Sequence, residues 1–127
     1  MTALNTNEQD RILTGVLDAW ADGIKAHEPD RVASYFTEDA IFQGFDPVQT
    51  VGRTGIAAYY DKQPIGLTAS YRIQERRQIS DGALLGYVDV DFTLPDGTVI
   101  PVHLTGVLLN IDGTWLLSHY HVSKIGV

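Results

Sequence analysis

The residues of this sequence with the clearest capacity for chemistry are His103, His119, His121 and Asp89. The segment HYH near the C-terminus presents His119 and His121 on one face, because residues i and i+2 of a strand point the same way. Neighbouring strands would add His103 and the Asp89 carboxylate. Imidazole and carboxylate groups in this arrangement could hold a transition metal or form an Asp-His acid/base pair.

An Asp-Gly turn fixes the first of the strand pairings on which this cluster depends. Asp-Gly between two β-rich segments favours a hairpin, because glycine accepts the positive φ that such turns require. A three-residue turn at 95–97 pairs Leu94 with Thr98. The same register places Asp89 opposite His103.

A second Asp-Gly turn precedes the last strand, whose sequence is WLLSHYHVS. We predict a three-residue turn at 111–113, which pairs Asn110 with Thr114. In that register His121 lies opposite His103, and the polar cluster spans three strands.

The predicted registers sort the last three strands into an apolar face and a polar face. Burial of apolar area contributes about 25 cal/mol per Å², so helices are expected to cover the apolar face. That face carries Val88, Val90, Phe92, Ile100, Val102, Leu104, Leu108, Leu116, Ser118, Tyr120 and Val122. The outer face carries Tyr87, Asp89, Asp91, His103, Thr105, His119 and His121. This placement favours a polar surface or a subunit interface over a metal site, and no metal or cofactor is predicted.

Three helices are predicted ahead of the sheet. Thr6 or Asn7 can cap the first helix, with Gln9 completing a capping box after Thr6. Its apolar face recurs every four residues, at Ile12, Val16, Trp20 and Ile24. A short helix begins at Pro29 and a third covers 53–62, with a strand at 39–44 between them.

From Thr68 to Ser123 the pattern alternates in twos, which predicts four antiparallel strands and an α+β fold. The length of 127 residues fits one domain spanning 1–127. The formal net charge of −7 disfavours nucleic acid and anionic membrane surfaces as partners. There is no cysteine, which excludes disulfides and thiolate zinc sites. The sequence has no signal-peptide or membrane-span pattern, so we expect a soluble cytoplasmic protein.

The apolar face predicts a small-molecule pocket with few polar groups. Tyr120 would polarise a ligand carbonyl, and Asp46 or Asp39 at the mouth would move a proton. Taken singly, each candidate residue more often has a structural role than a functional one. An aromatic residue at helical spacing, for example, usually belongs to the core. The predicted lining is Trp20, Phe42, Tyr60, Arg76, Val90, Phe92, Leu104, Ser118 and Val122.

The chain resembles the nuclear transport factor 2-like superfamily, which includes SnoaL-type polyketide cyclases and ketosteroid isomerases. The resemblance rests on the segments AHEPDRVASYFTEDAIF and VGRTGIAAYY followed by a β-meander. The pattern W-x-x-x-H-x-H-x-S at Trp115, His119, His121 and Ser123 is similar to the SgcJ/EcaC-type group and the calcium/calmodulin-dependent protein kinase II association domain. It implies a cone-shaped, cystatin-like fold, with three N-terminal helices packed on a curved, mostly antiparallel sheet.

The residues that carry function in those relatives differ here. Where ketosteroid isomerases have a tyrosine, an aspartate base and an acidic hydrogen-bond donor, this chain has Trp20, Gly44 and Thr105. Where the kinase association domain has two pocket arginines, it has Gly106 and Val122. The resemblance therefore implies the fold and an apolar pocket without either of those polar sites.

Two functional hypotheses follow. The favoured one is a small-molecule-binding SnoaL/SgcJ-like protein, with a polyketide- or steroid-like ligand and cofactor-independent isomerase or cyclase activity. The alternative is a non-enzymatic dimeric module for ligand binding or assembly. In both, we expect a homodimer through the outer sheet face at Asp89, His103, His119 and His121.

Overall fold

The computed structural model describes residues 3–126, which form helices packed on one face of a curved sheet. The sheet order is β2-β1-β6-β5-β4-β3, with β1 and β6 parallel and every other pair antiparallel. The elements are α1 (Thr6–Lys25), α2 (Pro29–Ala33), β1 (Phe36–Gln43), β2 (Thr50–Val51), α3 (Arg53–Asp61), β3 (Thr68–Ser80), β4 (Ala83–Thr93), β5 (Val99–Ile111) and β6 (Thr114–Lys124). The predicted α+β architecture is confirmed. No helix within residues 3–126 is long and apolar enough to cross a membrane.

The first helix begins one residue earlier than predicted, because Asn5 caps it. The Asn5 side chain accepts a hydrogen bond from the Glu8 backbone at 2.8 Å, and Glu8 closes the capping box. The sequence holds two overlapping boxes, Asn5 with Glu8 and Thr6 with Gln9. The second box does not form, since the Gln9 side chain instead donates to the Leu4 carbonyl at 2.9 Å.

The core lies between the helices and the inner face of the sheet. Trp20 and Ile24 of the predicted stripe of α1 are buried, but Ile12 and Val16 are only partly buried, and Leu13 and Leu17 beside them are in the core instead. Gly86 in β4 leaves room for the Leu13 side chain, since a Cβ atom at this glycine would lie 2.7 Å from Leu13 Cδ2. The helix therefore approaches the sheet closely at this point.

The hairpin between β4 and β5 has the predicted register. Leu94 N donates to Thr98 O at 2.8 Å, and Asp89 lies opposite His103. Gly97 has φ +91°, the conformation for which glycine is favoured in such a turn.

The hairpin between β5 and β6 differs from the prediction in two places. Its turn has two residues, Asp112 and Gly113, both with positive φ, so Ile111 rather than Asn110 pairs with Thr114. The register then shifts again at Ser118, where β6 carries a β-bulge.

The two shifts change which residues face each other in β5 and β6. His103 lies opposite Ser123 and Thr105 opposite His121, so the predicted pairing of His103 with His121 is wrong. The shorter turn and the bulge together move the register of β6 by two residues. Beyond the bulge, the residues of β6 therefore point to the predicted faces, and Tyr120 is buried as predicted.

Before the bulge, the inward and outward residues of β6 are exchanged. Leu117 is buried in the core, whereas Leu116 is only partly buried. Ser118 is the extra residue of the bulge and is partly exposed, so its predicted inward position is wrong. A bulge leaves one residue without a cross-strand partner, and alternation in the sequence does not reveal where it occurs.

Candidate functional site

A cluster of aromatic rings fills the interior between α1, α3 and the sheet. Phe42 of β1 stacks on Tyr120 of β6 with 4.4 Å between ring centroids and 8° between planes. The Trp20 ring meets Tyr120 at 6.0 Å and Phe92 at 5.9 Å. The buried cluster comprises Trp20, Phe36, Phe42, Tyr59, Tyr60, Phe92 and Tyr120. Neighbouring strands and the two helices thereby contribute rings to one apolar volume.

A short chain of polar groups runs through this cluster. The Trp20 Nε1–H donates to the Tyr60 hydroxyl at 2.9 Å, and the Tyr60 hydroxyl lies close enough to that of Tyr120 for each to affect the pKa of the other. Burial raises the pKa of both tyrosines above the ordinary range of the phenol group. Both phenols therefore stay protonated at neutral pH and act as hydrogen-bond donors rather than as bases.

The aromatic cluster occupies the space that was predicted to be an open pocket. Trp20, Phe42, Tyr60 and Leu104 are buried and packed together with Val90, Phe92 and Val122. A space of about 10 Å³ beside Leu17 and another beside Tyr60 are each large enough for about one water molecule. The predicted apolar lining is present, but side chains fill it in this conformation.

The two predicted carboxylates lie at the surface. Asp46 is exposed and pairs with Lys62 at 3.4 Å, and Asp39 is exposed in β1 and accepts a hydrogen bond from Thr37 at 3.0 Å. Neither carboxylate is hydrogen-bonded to Tyr120 among the contacts of residues 3–126. The structure therefore does not assemble the predicted acid/base pair.

Asp46 is nevertheless close to the aromatic cluster. It borders a surface cleft of about 250 Å³ whose wall includes Phe42 and Tyr59, and the pKa of Tyr59 is raised mainly by burial and to a smaller extent by the Asp46 charge. Asp39 lies in a different cleft of about 480 Å³, beside Arg53. Of the two carboxylates, Asp46 is thus the one that shares a cleft with cluster residues.

Arg76 does not contribute to the aromatic cluster, contrary to the prediction. Its Nε pairs with the Asp10 carboxylate at 2.6 Å. Asp10 precedes Trp20 by ten residues on α1, a separation of about 15 Å along a helix. The ion pair joins the first half of α1 to β3, far from the rings.

The outer sheet face carries the predicted polar residues. His103 Nδ1 lies 2.7 Å from Asp89 Oδ1, and the Tyr87 ring stacks on the His103 ring at 5.7 Å. The rings of His119 and His121 lie 6.5 Å apart. Within residues 3–126, no three histidine or carboxylate side chains come close enough to share a metal ion.

Phe45 and Tyr59 complete the cluster, and Phe45 was not predicted as a site residue. The Tyr59 hydroxyl accepts a hydrogen bond from the Phe45 backbone at 3.0 Å, and the Phe45 ring packs edge-on against Phe92 at 5.7 Å. Phe45 lies in a loop, where apolar periodicity gives no signal. Its one indication in the sequence is an aromatic residue in a loop that carries glycine, aspartate and proline.

The curved sheet, the helices on its inner face and the buried aromatic chain define the class of cystatin-like, nuclear transport factor 2-like cones. Within this class, the chain belongs to the SnoaL-like domain family, whose profile matches residues 13–127. A comparison with curated proteins finds no match.

Solved structures show the same fold. A Xanthomonas campestris protein described as a calcium/calmodulin-dependent protein kinase II association domain has 18% identity and a TM-score of 0.80, covering 98% of this chain and 93% of that chain. A Nostoc punctiforme domain with a cystatin-like fold has 18% identity and a TM-score of 0.81, covering 98% and 81%. A ketosteroid isomerase-like protein from Erwinia carotovora atroseptica has 20% identity and a TM-score of 0.72, covering 95% and 99%. At these identities the matches establish the fold alone.

Proposed function

We propose that this chain is a small-molecule-binding SnoaL-like protein that accepts an apolar, carbonyl-bearing ligand beside Tyr60 and Tyr120. The observation that carries the proposal is the Trp20–Tyr60 hydrogen bond, with the neighbouring Tyr120 hydroxyl, inside an apolar shell. A site with apolar walls and a few convergent polar groups is the general form of a small-molecule site.

The ligand class follows from the protonation of the tyrosines. Trp20, Tyr60 and Tyr120 supply three N–H or O–H donors, whereas their two mutual contacts use only two of these hydrogens. A ligand carbonyl can accept the third hydrogen. Donors held in a low-dielectric site also stabilise the negative charge that develops on such an oxygen. A ketone or enone with polyketide- or steroid-like rings matches these properties.

The same donors would serve a cofactor-independent isomerisation or cyclisation. Tyr120 and Tyr60 would stabilise the enolate oxygen, while Asp46, from the cleft that reaches Phe42 and Tyr59, would move the proton. This step requires the loop that carries Asp46 to shift, since its carboxylate now pairs with Lys62.

A fluorescent ketone tests the binding proposal. The probe is Prodan, an uncharged naphthyl ketone whose emission moves to the blue in apolar surroundings. Tyr120→Phe and Tyr60→Phe should each weaken its affinity about fivefold, since a neutral hydrogen bond contributes about 1 kcal/mol. Tyr35→Phe is the control, because the Tyr35 hydroxyl contacts Arg31 at the surface. Absence of binding, or equal affinity for all four proteins, would overturn the proposal.

We also propose that the chain forms a homodimer through the outer sheet face around Asp89, His103, His119 and His121. The support is an apolar patch beside these residues, which the helices leave uncovered. Tyr87 is 39% exposed there, and Val107 is only partly buried.

Light scattering tests the dimer. Val107→Lys should yield a monomer at concentrations where the unmodified chain is a dimer, because the new charge would be buried without a partner. Val48→Lys makes the same change on an exposed loop and should leave the mass unchanged. A monomeric unmodified chain at micromolar concentration would contradict this proposal.

A further inference from the structure

The aromatic cluster reaches the surface at one loop residue, Phe45. The Phe45 ring packs on Phe92, and Phe92 in turn packs on Trp20, the first donor of the buried chain. Phe92 and Trp20 are buried, whereas Phe45 is only partly buried. Phe45 is thus the outermost member of this row of rings.

The loop that carries Phe45 is attached by a small set of contacts. Residues 44–49 form no helix or strand, and 46–49 are exposed. Tyr59 accepts the Phe45 N–H, Gln43 donates to the Asp46 carbonyl, and Asp46 pairs with Lys62. The Trp20, Tyr60, Phe92 and Tyr120 rings are buried on helices or strands, so displacing any of them would disrupt the packing of the core.

We infer that the Phe45 ring closes the interior of the fold, and we call this ring the plug. Its displacement admits a ligand to the Trp20, Tyr60 and Tyr120 donors. This inference rests on the proposed function and names the residue that controls access to that site. It follows from a filled interior, a buried set of donors and one loop-borne ring between them and solvent. Phe45 is therefore the residue that limits the size of an accepted ligand.

The surroundings of Phe45 also define the ligand more closely. Its ring lies edge-on to Phe92, and Lys124 Nζ stands 5.4 Å from its centroid, in cation–π contact. A ligand ring that takes this place would meet the same two groups. The geometry favours a flat, electron-rich aromatic ring joined to a carbonyl, that is, an aromatic ketone rather than a saturated one.

Quenching of Trp20 fluorescence by acrylamide tests the plug without any ligand. The chain has two tryptophans, so the Trp115→Phe background isolates Trp20. Phe45→Ala should raise the quenching constant several-fold, because the buried indole becomes accessible. Val48→Ala, on the same loop and 73% exposed, is the matched control and should leave the constant unchanged. Phe45→Leu should lie near the unmodified value, since leucine still fills the opening.

Prodan binding then separates the two proposals. In Phe45→Ala the association rate should rise about tenfold, as expected for removing a half-buried phenyl group that must move aside. If Phe45→Ala changes neither quenching nor association rate in a folded protein, the plug is overturned, whatever the unmodified chain binds. If quenching rises but no variant binds Prodan, the plug stands and the proposed ligand site fails.

Discussion

The indole N–H of Trp20 donates a hydrogen bond to the hydroxyl of Tyr60 at 2.9 Å, and this bond joins α1 to α3 inside the cone. Both side chains are buried, at 0% and 5% exposure. A buried donor without an acceptor is costly, so each residue restricts what the other can be. The polar part of the candidate site is therefore also part of the core.

We expect Tyr60→Phe to lower the free energy of unfolding by about 1–3 kcal/mol, because it leaves the Trp20 N–H without its acceptor. Urea unfolding followed by circular dichroism measures the change. Trp20→Phe in the Tyr60→Phe background removes the stranded donor. The double variant should therefore lose less stability than the sum of the two single changes. Strict additivity would contradict a direct bond between these groups.

Stability should fall in alkali because of the buried tyrosines. Burial raises the folded-state pKa of Tyr60 and Tyr120 above the unfolded value of about 10. Their contribution is fully present below pH of about 10 and is lost as the pH rises toward the folded-state pKa values. Absorbance at 295 nm should show these phenols ionising only as the protein unfolds. In Tyr60→Phe/Tyr120→Phe the late fraction should shrink, because the raised pKa of Tyr59 still delays its ionisation, and an unchanged late fraction would refute the assignment.

The Asp89 carboxylate should fix the tautomer of His103. With Asp89 Oδ1 at 2.7 Å from His103 Nδ1, the neutral ring carries its hydrogen on Nδ1. Long-range ¹H–¹⁵N spectra in mildly alkaline solution should show this tautomer. Asp89→Ala removes the acceptor and should shift the ring toward the Nε2–H form, with His121 as the internal reference. A ring already in that form before the change would contradict the contact.

Two glycines should respond in opposite directions to the same substitution. Gly86→Ala would place a Cβ atom 2.7 Å from Leu13 Cδ2 and should lower the free energy of unfolding by about 1–2 kcal/mol. Gly15→Ala lies within α1, where a new Cβ atom meets nothing within 4 Å, and should raise it by about 0.5–1 kcal/mol. Thermal unfolding compares the two. Equal effects would show that α1 does not pack on β4 through Leu13 as described.

The sequence by itself determined the fold class, the three helices and the two faces of β4 and β5. Alternation along β4 and β5 separates apolar from polar residues, and the Asp-Gly turns mark the ends of the hairpins. The pairing of Asp89 with His103 follows directly from the turn at 95–97. The predicted inward position of Tyr120 is also correct. The shorter turn and the bulge each shift the register of β6 by one residue, and two shifts return Tyr120 to the predicted face.

Only the tertiary structure decided how the site is filled and which polar groups meet there. Positive backbone φ angles at Asp112 and Gly113 shorten the last turn, and this change together with the bulge at Ser118 places Ser123 rather than His121 opposite His103. Asp46 forms its ion pair with Lys62 across a distance in sequence, and no local pattern encodes that pairing. Periodicity reports which face of an element is buried. It does not report whether a buried volume is open or already filled by a ring from a loop, such as that of Phe45.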